Sequence, residues 1–558
     1  MPLTPVPGGF HAAVVDDCPP GTRYRYRLAG ADGALADPAS RWQPDGVHGP
    51  SAVFDPAAHQ WGDGGFVAPP LGRYVIYELH VGTFTADGAF DAATAHLAEL
   101  AALGVTAVEV MPVAQFPGRW NWGYDGVFPY AVQDSYGGPA GLQRFVDACH
   151  GHGLAVVLDV VYNHLGPEGN VLGAYGPYFT DRYRTPWGAA VNVDGPDSDA
   201  VRRYFVDNAV QWFGDFHVDA LRLDAVHGIV DPTATPFLAD LSAACEATSE
   251  DLGRRCPLLA ESADNNPRVV TARSAGGLGM DAQWNDDFHH ALHAAVTGER
   301  TGYYRDFGGL DQLATALSDG FVYQGQYSAF RRRRHGAPSA GVDPVRWVVF
   351  GQNHDQVGNR PAGDRLSSLV GPDRLALGAA VLLLAPGIPL LFMGEEYGEA
   401  NPFPYFVDHQ DPDLREAVRR GRAEEMASYD LAGVAMLDPT SPATRDAAVL
   451  DRSRADAGLR QLYADLLALR RTHPALVPAT RPDAVAWAAG SVLTLRRSSA
   501  GYRLAVLANF ADHPVEAALP DGDWTLVPGA AWAGRGVERV DAGTVTLAGL
   551  AFGIFEGS

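Results

Sequence analysis

Four short stretches of this chain carry acids, an arginine and imidazoles in positions where they can act together. They are Asp159-Val160-Val161-Tyr162-Asn163-His164, the stretch Val218 to His227 with Arg222 and Asp224 inside it, Glu261-Ser262, and Asn353-His354-Asp355. A spacing of two on an extended strand puts Arg222 and Asp224 on one face. Alone, that pair reads equally well as a structural ion pair. Asp159 can tie down a loop, His164 can be a satisfied core imidazole, and Asp355 can cap a helix. Taken together, three carboxylates without a partnering cysteine or lysine suit glycosidic chemistry. There one ionised carboxylate attacks, and a protonated carboxyl about 5–5.5 Å away serves as acid and then base. Asp224 suits the nucleophile, because the Arg222 guanidinium favours its ionised form. Glu261 follows the apolar Pro257-Leu258-Leu259-Ala260, and partial burial raises a carboxyl as a proton donor requires. Asp355 is then the group that stabilises the cationic transition state.

These residues need a scaffold that brings distant strand ends to one place. After Pro69-Pro70 the chain alternates apolar strand-like runs with amphipathic helical stretches, the signature of parallel β/α architecture. The runs are Val75 to Leu79, Ala107 to Met111, Ala155 to Val161, Ala220 to Val226, Leu258 to Glu261, Met280 to Trp284, Trp347 to Gly351 and Pro389 to Met393. Eight such units predict an α/β fold, a (β/α)8 TIM barrel with insertions, whose C-terminal strand ends carry the site. Residues 71–455 are assigned to this barrel, with an insertion at about 165–197 after strand three that is rich in Gly, Pro, Tyr and Asn. Residues 1–70 read as an N-terminal β-sandwich-like module, 456–482 as a connecting helix and 483–558 as a C-terminal antiparallel β-domain. The stretch 400–455 reads as irregular and acidic.

Composition narrows the partners. The 42 basic residues face 66 acidic ones, a net charge of -24, and every basic residue is Arg. That balance disfavours nucleic acid and anionic membranes. The absence of lysine excludes a Walker A loop and a lysine Schiff base. Cys18, Cys149, Cys245 and Cys256 have no metal-cage or disulfide spacing and read as free thiols of a reducing cytoplasm. No signal peptide is visible, and the apolar run Leu375 to Met393 is broken at Pro386-Gly387-Ile388-Pro389, which suits a helix, a turn and a strand rather than a membrane span. The expectation is a soluble, cytoplasmic protein. His289-His290-Ala291-Leu292-His293 superficially resembles a zinc helix but lacks the general-base Glu of HExxH, so no metal is expected. Aromatic residues including Trp120, Trp122, Tyr124, Trp187 and Trp284 suit the faces of sugar rings, and Arg331 to Arg334 reads as a partly solvated loop paired with acids.

In order and barrel position, the four stretches resemble the four short conserved regions of the α-amylase family of glycoside hydrolases. The resemblance implies that Asp224 is the nucleophile, Glu261 the acid/base and Asp355 the transition-state stabiliser. It implies that Arg222, His164 and His354 orient the nucleophile and hold the reacting sugar, with Tyr124 stacked beneath it. Four longer segments resemble the trehalose-releasing branch of that family: Asn121 to Val127, Asn163 to Asn170, Trp284 to His290 and Gln352 to Arg360. The likeness runs from about His11 into the C-terminal domain. It implies hydrolysis of the α-1,4 bond next to the terminal α,α-trehalose of malto-oligosyltrehalose, with neither a cofactor nor an essential metal. Asp159, Glu168, His227, Trp284, Asp286 and Asp287 complete the substrate-binding candidates. Two features depart from the family: the opening β-sandwich is only partly represented, and the acid/base segment reads Glu261-Ser262-Ala263-Asp264, where amylases often place Asn and Asp sooner after the Glu. Two alternatives stay open, a branching or debranching enzyme acting on α-1,6 linkages and a catalytically inactive glucan-binding protein. The three intact acids argue against the second.

Overall fold

The computed structural model describes residues 1–30, 33–428, 435–477, 483–527, 536–541 and 543–557. Positions 429–434 of the segment assigned to the barrel, 478–482 of the connecting helix and 528–535 of the C-terminal domain lie outside the described residues.

Apolar runs buried on both faces form parallel strands covered by helices. Eight of them close a barrel: β1 (Ile76–Leu79), β2 (Ala107–Val110), β3 (Ala155–Val160), β4 (Ala220–Leu223), β5 (Leu258–Ala260), β6 (Ala282–Trp284), β7 (Trp347–Phe350) and β8 (Ile388–Phe392). β8 returns to pair with β1, which gives the (β/α)8 architecture expected from the alternation. One inward layer is apolar: Ile76, Ala107, Val157, Ala220, Leu259, Ala282, Val348 and Leu390 belong to a single cluster in the lumen. Two residues further along β1 to β5 the same face carries Glu78, Glu109, Asp159, Arg222 and Glu261. Register pairs Glu78 with Glu109 and Arg222 with Asp159. The strands therefore stack a polar layer on an apolar one, and the polar layer is the floor of the C-terminal face.

The apolar run from Leu375 resolves into the helix Pro372–Leu384, a turn and β8. No helix among the described residues is long and apolar enough to cross a membrane. After β3, the excursion holds a short helix, Leu172–Tyr175, and a hairpin of Phe179–Thr185 with Gly188–Val191. The C-terminal strands form an antiparallel sheet in the order Asp483–Ala489, Val492–Ser499, Tyr502–Asn509, Ala551–Gly557, Trp524–Leu526, with a smaller sheet of Val515–Ala518, Thr544–Leu547 and Val537–Asp541 beside it. Two buried arginines, Arg470 on the preceding helix Ala457–Thr472 and Arg497 in the sheet, fasten this part of the chain to the barrel. Arg470 donates to the carbonyls of Leu383, Ala385 and Gly387, and Arg497 to that of Leu384.

Two expectations differ from what is found. The N-terminal segment forms two-stranded ribbons, Thr4–Val6 with Phe10–Ala12 and Arg23–Tyr24 with Ser51–Ala52. A sandwich buries the inner faces of two sheets, whereas the first ribbon is exposed throughout. The segment instead lies against the barrel, with Ala36 and Val47 packed on Val127, Phe128 and Ala131. The stretch read as irregular contains a long helix, Pro412–Ser428. Its residues are polar on nearly every face, so no apolar stripe betrays it.

Candidate active site

The site is built on one guanidinium. Arg222 is fully buried near the end of β4. Its Nη1 donates to both oxygens of Asp159 at 2.8 and 2.7 Å and to Asp224 Oδ1 at 2.9 Å, while Nη2 donates to Glu261 Oε2 at 2.8 Å. The Trp284 ring lies against it, 4.4 Å from Cζ. Asn163 at the end of β3 holds the other oxygen of Asp224 at 2.6 Å and its backbone carbonyl at 2.9 Å. Burial opposes ionisation of Asp224, but the charges of Arg222 and His164 and the Asn163 hydrogen bond outweigh it and keep the carboxyl below the usual range.

Glu261 has the opposite balance. Burial comes first and, with Asp224 and Asp355 nearby, raises its carboxyl well above the ordinary value against the pull of Arg222. Ala225, directly after Asp224, has φ 39° and ψ 51°, a left-handed conformation that costs a non-glycine residue energy and is held where the surroundings enforce it. The turn aims its N–H at Glu261 Oε2, 2.7 Å away. One guanidinium shared by two carboxylates holds them close together, as the nucleophile and acid of a retaining glycosidase must be.

Around this pair stand the other groups. His354 is clamped by Glu78, whose Oε1 lies 2.5 Å from Nδ1 and whose Oε2 accepts the His354 backbone N–H at 2.9 Å. Burial alone would lower this imidazole; Glu78, then Asp355, raise it to about 9. The Tyr124 hydroxyl donates to Asp159 and accepts from His354 Nε2, both at 2.7 Å. Asp159 is pushed up to about 6 by burial, with Arg222 opposing. His164 Nε2 donates to the Tyr124 carbonyl at 3.0 Å, and Trp187 from the excursion hairpin stacks on its ring at 5.6 Å. Trp187 also meets His227 at the exposed rim, and a Cβ at Gly228 would come within 2.9 Å of its ring. Asp355 is the most open of the three acids, its side chain 36% exposed against 10% for Asp224 and 14% for Glu261, and its charge acts on Glu261. Asp286 lies beside it, pushed up to about 7 by burial and then by Asp355.

The structure thus brings together Tyr124, Asp159, His164, Arg222, Asp224, Glu261, Asp286, His354 and Asp355, with His227 at the rim. Three candidate substrate contacts are placed elsewhere. Trp284, 2% exposed, is spent beneath Arg222 in the barrel lumen. Asp287 Oδ2 accepts from Asn265 and from the backbone N–H groups of Val322 and Tyr323, so it anchors a loop. Glu168 is buried on His409 and the Gln410 N–H. Sequence reasoning missed the contributions of Glu78 and Asn163; an acid inside an apolar strand is the signal that marks Glu78. In the Arg331 to Arg334 run, Arg333 reaches Asp264 at 3.8 Å, while the charge of Arg331 acts on His227, Asp286, Asp287 and His290. Both ring nitrogens of His289 are occupied, by the Gly351 carbonyl and the Tyr304 hydroxyl, and His293 Nε2 binds Glu299.

Comparison with known proteins agrees with this geometry. Residues 59–175 match the family model described as the alpha amylase catalytic domain. A malto-oligosyltrehalose trehalohydrolase of Arthrobacter ramosus is 50% identical over 491 residues, 87% of this chain and 85% of that protein. One of Rhizobium sp. (strain M-11) is 46% identical over 90% of this chain and 86% of that protein. The crystal structure of a candidate alpha amylase from Salmonella typhimurium superposes with a TM-score of 0.90 at 38% identity, covering 100% of this chain and 94% of that one. The chain belongs to the malto-oligosyltrehalose trehalohydrolase family, a branch of the α-amylase family of glycoside hydrolases.

Proposed function

We propose that the protein is a retaining glycosidase that cleaves the α-1,4-glucosidic bond next to the terminal α,α-trehalose of malto-oligosyltrehalose, releasing trehalose and a malto-oligosaccharide. The observation that carries the chemistry is the Arg222 guanidinium bound at once to Asp224 and Glu261; the substrate follows from the family. Asp224 attacks the anomeric carbon as the bond to the trehalose oxygen breaks, and Glu261 passes its proton to that oxygen, so trehalose leaves. The malto-oligosyl group is then an ester of Asp224. Glu261, now a carboxylate, takes a proton from the water that attacks the same carbon, and the second inversion restores the α configuration. Asp355 faces the cationic ring in both transition states. Tyr124 forms the floor beneath that ring, and Asp159 and His354 fix its hydroxyl. Asp286, His227 and Arg331 stand where the leaving sugars would sit. We place the reaction in the cytoplasm, in keeping with four free cysteines.

Digestion of maltotriosyl-trehalose tests the reading. The wild type should yield trehalose and maltotriose, and Asp224→Asn should bind the substrate without cleaving it. Products without free trehalose would favour a branching or debranching activity and overturn the reading.

A further inference from the structure

We propose that His409 is a positioning residue for the sugar site, a charged wedge between Asp125 and Glu168 that fixes the Tyr124 loop against the loops that follow β3 and β8. The inference rests on Tyr124 as the floor of that site. His409 is 2% exposed. Its Nδ1 donates to Glu168 Oε2 at 3.1 Å, and Nε2 lies 3.7 Å from Asp125 Oδ1. A neutral imidazole offers one N–H and would turn a lone pair toward one carboxylate; the imidazolium donates to Glu168 and sets its charge beside Asp125, to which Nε2 makes no hydrogen bond. Burial would lower the imidazole, but Asp125 and then Glu168 raise it, and burial of Asp125 is likewise outweighed by His409, so its carboxyl sits low.

The geometry links the wedge to the reacting centre. Asp125 is the residue after Tyr124, and its Oδ2 accepts from Asn121 Nδ2 at 2.8 Å. The segment before His409 runs along the same loop: Asn121 bridges to Val407, the Trp122 N–H donates to the Phe406 carbonyl, and Trp122 Nε1 donates to the Pro404 carbonyl. Glu168 lies four residues beyond His164, whose Nε2 holds the Tyr124 carbonyl. Other charged and titratable groups face the cluster. His48 Nε2 lies 3.5 Å from Glu168 Oε1, Asp408 feels Glu168 and Arg415, Tyr405 adjoins Asp125, and His164 acts on Asp125. Losing the charge of His409 leaves Asp125 and Glu168 without their shared cation, and the floor loses its brace. The wedge therefore holds while His409 is protonated between two carboxylates, and it is lost as pH rises through the raised pKa of His409.

The test uses full-length His409→Gln and Glu168→Gln, with kcat and KM measured on maltotriosyl-trehalose and on maltoheptaose from acid to alkaline pH, and thermal unfolding as the check on folding. A displaced floor should lower kcat/KM of His409→Gln about 10- to 100-fold near neutrality, and the gap to wild type should close at alkaline pH, where the wild-type wedge also opens. Glu168→Gln keeps the shape and removes one charge, so its alkaline limb should move to lower pH with a smaller loss at neutrality. A pH-independent deficit in His409→Gln, or a wild-type pH profile in Glu168→Gln, overturns the proposal. Wild-type hydrolysis of maltoheptaose with no trehalose released from maltotriosyl-trehalose would sink the substrate reading alone, because the wedge would still be read on maltoheptaose.

Discussion

Replacing Glu78 by Gln removes the charge that holds His354 cationic. Glu78 is fully buried and meets both Nδ1 and the backbone N–H of His354. With Glu78 in place His354 lies at about 9, and the distance from the ordinary histidine value near 6.5 corresponds to about 3 kcal/mol. Because the folded pKa is raised, that contribution is complete below the unfolded pKa and is lost as pH rises through about 9. Histidine-selective NMR reads it directly. In the wild type His354 should titrate near 9, and in Glu78→Gln it should fall well below that, because burial loses its main opponent. Thermal unfolding should show the variant weakened at neutral pH, with the difference shrinking above the wild-type midpoint. Since His354 Nε2 also holds the Tyr124 hydroxyl, kcat/KM should drop about 10-fold or more. A His354 titration that does not move would refute the reasoning.

Glu261→Ala should lose about 10²- to 10⁴-fold in kcat on maltotriosyl-trehalose, with recovery on a substrate whose leaving group needs no proton; no recovery would argue against the acid role. Asp286→Asn removes one of the negative charges that raise Glu261, so the general acid should deprotonate sooner and the alkaline limb of kcat/KM should move to lower pH; a limb shifted upward would contradict this. Arg470→Met strands the carbonyls of Leu383, Ala385 and Gly387, which should cost about 3 kcal/mol of stability while leaving kcat unchanged below the transition; calorimetry beside steady-state kinetics checks both halves.

The barrel was legible because its parallel strands are buried on both faces and so read as apolar runs separated by helices. Arg222, Asp224 and Glu261 were legible for a related reason, since charge at the end of such a run has nowhere to go but the C-terminal face. Glu78 obeys the same rule but sits inside its strand, so its partner, His354, could be known only once the barrel closed. Glu168, Asp287 and Trp284 lie in segments that resemble the family, yet what each faces is supplied by chain far away: His409 is 241 residues from Glu168, and Asp287 is committed to Val322 and Tyr323. The helix Pro412–Ser428 has no apolar stripe to reveal it.

The most direct test follows the reaction of maltotriosyl-trehalose by NMR from its first turnovers, reading released trehalose and the anomeric configuration of the new reducing end together. Trehalose and maltotriose should appear in equal amounts, with the reducing end first as the α-anomer and only later mutarotating. A β-anomer at the outset, or maltotriose without trehalose, would contradict it.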